Sequence, residues 1–96
     1  MPLADKKTVL VVDDSPLVRL RVKNALAGLN VEVLEMRRAE DLLAAPELVA
    51  GVDLVILDLY LPGMDGLTAL RRLREDHGLS RVPVMVLTGW GPWTTC

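Results

Sequence analysis

Val55-Ile56-Leu57-Asp58-Leu59, closed by Pro62-Gly63-Met64-Asp65-Gly66, decides how this chain folds. The apolar run has no polar alternation, which reads as a strand buried on both faces, as in a parallel sheet. It ends in a carboxylate, and the Pro-Gly pair then turns the chain. Upstream, Val9-Leu10-Val11-Val12 has the same character and ends in Asp13 and Asp14. Ligands of parallel α/β sheets gather at the carboxyl ends of the strands. Two neighbouring strands of this kind therefore bring three acids to one place. Such an oxygen-lined pocket suits Mg²⁺, which takes one or two carboxylates and fills its other positions with water and phosphoryl oxygens.

Working outward, Ser15-Pro16 supplies a helix start, a serine cap with proline where its missing N–H is harmless. Val18, Val22, Ala25, Leu26 and Leu29 recur at helical spacing while Arg19, Arg21 and Lys23 point elsewhere, and Gly28 and Asn30 end the helix. Val31–Glu35 is a short alternating strand. Ala39–Ala45 forms a short helix stopped near Pro46, which Glu47–Gly51 extends by a further turn. Asp53–Leu57 is the central strand, delivering Asp58. A third helix opens at Asp65 or Gly66, turns Leu67, Leu70 and Leu73 inward, and closes at His77-Gly78. Val82–Leu87 is a fourth buried strand, entered through Pro83 and delivering Thr88. From Gly89 to Cys96 the pattern stops. Strands and helices in alternation imply an α/β fold with a doubly wound parallel sheet in one domain, residues 1–96.

Composition narrows the function. Hydrophobic residues are 51% of the chain and charged ones 25%, with net charge −2. That is the balance of a globular domain, without the basic face that nucleic acid requires. Arg71, Arg72 and Arg74 read as the solvated face of a helix. The one cysteine, Cys96, builds neither a disulfide framework nor a zinc site. No apolar stretch is long enough for a signal peptide or a membrane span, so the expectation is a cytoplasmic protein with no membrane partner.

Asp58 is the candidate nucleophile, because a carboxylate accepts a phosphoryl group as an aspartyl-phosphate. The step is mostly positioning and charge neutralisation, so it needs a metal against the phosphoryl oxygens. Asp13, Asp14 and Asp58 would hold that metal with the backbone carbonyl of Leu59, and Thr88 would offer its hydroxyl to a phosphoryl oxygen. Each residue alone has a plainer reading: helix caps for the acid pair, a strand-end turn for Asp58, an ordinary strand residue for Thr88. Tyr60 reads as a rim residue and His77 as a helix-end residue. The signal lies in the joint spacing.

That joint spacing resembles the receiver domain of bacterial two-component response regulators. Val9 through Pro16 looks like the family's first strand and acidic pair, and Asp53 through Gly66 like its phosphoacceptor strand and turn. Val82 through Gly89 looks like its fourth strand with the switch threonine. The resemblance implies a flavodoxin-like fold, Mg²⁺ dependence, and phosphoryl transfer to Asp58 from a sensor histidine kinase or phosphotransfer protein. It implies no enzyme beyond self-phosphorylation and self-dephosphorylation of Asp58, and a Thr88 that reorients toward the phosphoryl group.

The family pattern continues past the threonine with a helix, a strand carrying a lysine, and a last helix; this sequence stops before them. Its lysines, Lys6, Lys7 and Lys23, are not placed to substitute. Two expectations follow: a receiver truncated after its fourth strand, and a homodimer through Val82–Trp93, with Trp90 and Trp93 covering an exposed apolar edge. A phosphorylation-independent pseudo-receiver that binds or dimerises, or a fragment of a longer response regulator, are the alternatives. An aspartate-nucleophile phosphatase would need a second acid where Tyr60 stands.

Overall fold

The computed structural model describes residues 6–75, 79 and 81–87. Their elements alternate along the chain: β1 (Lys7–Val12), α1 (Pro16–Ala25), β2 (Val31–Met36), α2 (Ala39–Leu43), α3 (Pro46–Ala50), β3 (Leu54–Asp58), α4 (Gly66–Glu75) and β4 (Val84–Leu87). The strands make one parallel sheet in the order β2-β1-β3-β4. This is the doubly wound parallel sheet that the alternating elements predict, in the flavodoxin-like arrangement that the family resemblance implies. Val9–Val12 of β1 is buried throughout, as expected of a strand covered on both faces.

Strand order reverses at β1: the chain passes from β1 to β2 on one side and returns to β3 on the other. A crevice opens at such a reversal, outside the carboxyl ends of the two central strands. The register runs from Val9↔Leu54 to Val12↔Leu57, so the next residues, Asp13 and Asp58, face each other across that crevice.

Each face of the sheet carries its own apolar cluster. Leu10, Val12, Val55 and Leu57 join Leu42, Val49, Ala69 and Leu73 from α2, α3 and α4. On the opposite face Val9, Val11 and Ile56 lie under Val22 and Leu26.

The structure moves several boundaries. Residues 46–50 are a separate helix, not an extension of α2. Pro46 lacks the N–H that would continue α2 and instead takes the first position of α3. β4 begins at Val84 rather than Val82, because Pro83 has no N–H for the ladder, although its carbonyl still accepts the Val55 N–H at 2.9 Å.

Two helix faces also differ from the periodicity. α4 buries Gly66, Ala69 and Leu73, while Leu67 is 54% exposed. A Cβ at Gly66 would overlap the Asp58 carbonyl oxygen and approach the Leu59 Cα to 2.9 Å, so only glycine lets the helix sit this close to β3. α1 buries none of its residues, and Ala25 and Leu29 are exposed. His77, Thr88, Trp90, Trp93 and Cys96 lie outside the described residues.

Candidate functional site

Asp13 and Asp58 are the buried polar residues of the described chain, 3% and 6% exposed, and both sit at the crevice. Asp14, beside them, is exposed. Asp13, Asp14 and Asp58 each offer a carboxylate oxygen within 4.8 Å of the others. The acids singled out in the sequence are thus brought together.

The two buried acids are held alike. Asp13 Oδ1 accepts the Ser15 N–H at 2.9 Å, and Asp58 Oδ1 accepts the Tyr60 N–H at 3.0 Å. In each case the carboxylate closes a turn on the residue two further along and keeps its second oxygen for another partner. Ser15 then caps α1, its Oγ accepting the Val18 N–H at 3.2 Å. Asp65 does the same for α4, its Oδ1 accepting the Thr68 N–H at 2.7 Å. Both helices therefore start directly after the site because a short polar side chain satisfies an orphan N–H.

Crowding has an electrostatic consequence. Burial pushes the Asp13 carboxyl above its ordinary value of 3.8, the Ser15 hydrogen bond pulls against that, and Asp58 and Asp14 add repulsion. A divalent cation among these oxygens would relieve both the desolvation and the repulsion.

The backbone around Asp58 is fully engaged on one side. The Leu59 N–H donates to the Leu87 carbonyl at 3.0 Å, and the Leu59 carbonyl accepts the Gly66 N–H at 3.1 Å. The Leu59 oxygen expected among the metal ligands thus already accepts one hydrogen bond, from the start of α4. At the other flank, Leu87 pairs with Asp58 at the end of β4.

Arg19 is the residue that the periodicity misses. Its side chain is only 11% exposed. Nη1 donates to the Asp13 carbonyl, and Nε donates to Glu35 Oε1 at 2.9 Å. Lys23 reaches the other Glu35 oxygen at 3.2 Å. These two cations hold the Glu35 carboxyl below its ordinary range. The available signal was positional: Arg19 stands four residues after the Ser15 cap, hence over the helix start, and Glu35 lies near the end of the strand beside β1.

Comparison with known proteins agrees with this geometry. The family model for the response regulator receiver domain matches residues 9–95. Chemotaxis protein CheY-3 of Vibrio cholerae is 38% identical over 82 residues, covering 83% of this chain and 62% of its own length. The chain spans less than two thirds of the curated relatives it matches, from 11% to 62% of their length. The N-terminal domain of a response regulator receiver protein from Methanoculleus marisnigri superposes with a TM-score of 0.79 at 30% identity, covering 94% of this chain and 72% of its own. The receiver domain of sensor histidine kinase PA1611 from Pseudomonas aeruginosa, solved with a magnesium ion in its active-site cleft, gives 0.77 at 26% identity over 88% of this chain and 68% of its own. This chain belongs to the response regulator receiver domain family, the phosphoacceptor modules of two-component signalling.

Proposed function

We propose that Asp58 is the phosphoacceptor of this chain and that Asp13, Asp14 and Asp58 hold a Mg²⁺ ion. The observation that carries this reading is the convergence of three carboxylates within 4.8 Å at the carboxyl ends of β1 and β3. The donor set is all oxygen, which fits a hard cation. With Leu59's carbonyl bonded to Gly66, the backbone oxygen is assigned to Tyr60, whose N–H already folds it onto the Asp58 carboxylate. When bound, the metal supplies charge neutralisation for the phosphoryl oxygens.

The chain's own residues do the rest. Asp58 presents its free oxygen to the phosphorus of a phosphohistidine on a sensor kinase or phosphotransfer protein. The oxygen–phosphorus bond forms as the nitrogen–phosphorus bond breaks, and the imidazole leaves with its electron pair. The Tyr60 N–H on the other carboxylate oxygen orients Asp58 for this attack. Thr88, next after Leu87, is the proposed hydroxyl sensor of the phosphoryl group. The module works in the cytoplasm through protein contacts, without nucleic acid. A second copy is the proposed partner of the 82–93 region, where Met85 is 52% exposed. Among the described residues, no helix is long and apolar enough to cross a membrane.

Intact mass after incubation with Mg²⁺ and acetyl phosphate tests the core of this reading. A single phosphoryl adduct is expected on the parent chain, and none on Asp58→Asn or after chelation. No adduct on the folded parent overturns it and leaves a phosphorylation-independent binding module. Light scattering tests the dimer, which Met85→Asp should shift to monomer.

A further inference from the structure

We infer that Arg19 is a positioning residue for the cation site, acting through the Asp13–Asp14 peptide. The inference rests on the metal-binding reading above. Asp13 is fixed on every side: its N–H donates to the Met36 carbonyl at 3.0 Å, its carboxylate accepts from Ser15, and its carbonyl accepts from Arg19. Asp14 is different. It is exposed, and among the described residues no side-chain hydrogen bond holds its carboxylate. The restraint on Asp14 therefore comes through its backbone, from the peptide that joins it to Asp13. That peptide is planar, so anchoring its oxygen fixes the plane and with it the position of the Asp14 Cα, from which the side chain departs.

Arg19 is built for that task. Its guanidinium presents several donors in a fixed fork. One arm takes the Asp13 oxygen and another takes Glu35, so β2 steadies the fork while the fork steadies the peptide. Glu35 is held in turn by Lys23 one turn further along α1. The relay runs from β2 through α1 to the peptide carrying the second acid. Outer partners that orient a metal's ligands commonly set its affinity about ten- to a hundredfold.

Position and charge make opposite demands here, which gives the test its edge. As a nearby cation, Arg19 repels a metal, so its removal on charge grounds alone tightens binding. As an anchor, its removal loosens binding. Mn²⁺ affinity of the full chain, read by electron paramagnetic resonance at a temperature where circular dichroism shows each variant folded, separates them. We expect Arg19→Met to weaken Mn²⁺ by about tenfold. Arg19→Lys keeps the charge but cannot span both acceptors, so it should weaken binding too, by less. A folded Arg19→Met that binds as tightly as the parent, or more tightly, overturns the inference. Should Arg19→Met not fold, a parent-like Arg19→Lys overturns it equally. A parent chain that binds no Mn²⁺ sinks the metal-site reading itself and this inference with it.

Discussion

α1 and α4 are both ten residues long, both follow a strand whose carboxyl end carries one of the clustered acids, and both begin on a side-chain oxygen cap. They are held to the molecule by different forces. α4 buries Gly66, Ala69 and Leu73 and touches the Asp58–Leu59 backbone through Gly66. α1 has no fully buried residue: Val22 and the adjoining Leu26 are only partly covered over Val9, Val11 and Ile56, and the helix is tied to the site through Arg19 and to β2 through Arg19 and Lys23. The Asp58 side of the acid cluster is thus fixed by close packing, and the acid-pair side chiefly by charged hydrogen bonds. Packing tolerates changes of pH and salt but not of shape; polar ties respond in the reverse way.

The sharpest way to break this contrast is Gly66→Ala. Its Cβ would collide with the backbone at Asp58, so α4 must lift off β3. A loss of about 3 kcal/mol or more is expected in urea unfolding, along with loss of the Asp58 adduct. A parent-like midpoint would show that α4 has room to shift.

Leu73→Ala against Leu20→Ala compares the helices directly. Leu73 is fully buried and Leu20 is 49% exposed. The first should cost about 3 kcal/mol and the second under about 0.5 kcal/mol. Equal losses would mean that α1 packs as α4 does.

Ser15→Ala removes the α1 cap and should cost about 1 kcal/mol, measured in the same way. The Ser15 N–H that restrains Asp13 survives this substitution, so a smaller effect would show that this bond and Arg19 hold the helix start without the cap.

The smallest effect has the opposite sign. Asp13's carboxyl is raised above 3.8 in the folded chain, so above that pH the native state keeps a proton that the unfolded chain has released. Stability from this group is present at lower pH and is lost as pH rises through the folded value. In the absence of metal, Asp13→Asn should therefore raise neutral-pH stability by less than about 1 kcal/mol and flatten the loss above pH 3.8. It should also abolish stabilisation by Mg²⁺. A destabilised Asp13→Asn would mean that the carboxylate contributes more through the Ser15 bond than its burial costs.

Much of the molecule was legible from residue order. Unbroken apolar runs marked β1 and β3, their last residues supplied the acids, and Ser15-Pro16 and Pro62-Gly63 marked a helix start and a turn. These are local facts, because strand burial, capping and turn chemistry are dictated by residues adjacent in the chain. The joint spacing of three acids therefore pointed to the cluster before any coordinates. The hydrogen bond that the Leu59 oxygen accepts was not legible, because which carbonyl a loop bonds depends on where Gly66 returns to meet it.

Helix faces were legible only as relative directions. Periodicity separated Arg19 from Val18 and Val22, yet it could not say which sector of α1 meets β1 and β2. In α4 it favoured Leu67, whereas the contact sector runs through Gly66, Ala69 and Leu73. Sequence alone determined the strands, their acid-bearing ends and the family to which they point. Tertiary structure decided the rotation of each helix on the sheet, and with it the Gly66 clamp and the reach of Arg19 to Asp13. A helix's own period orders its side chains around an axis, but only the neighbouring surface selects which of them is covered.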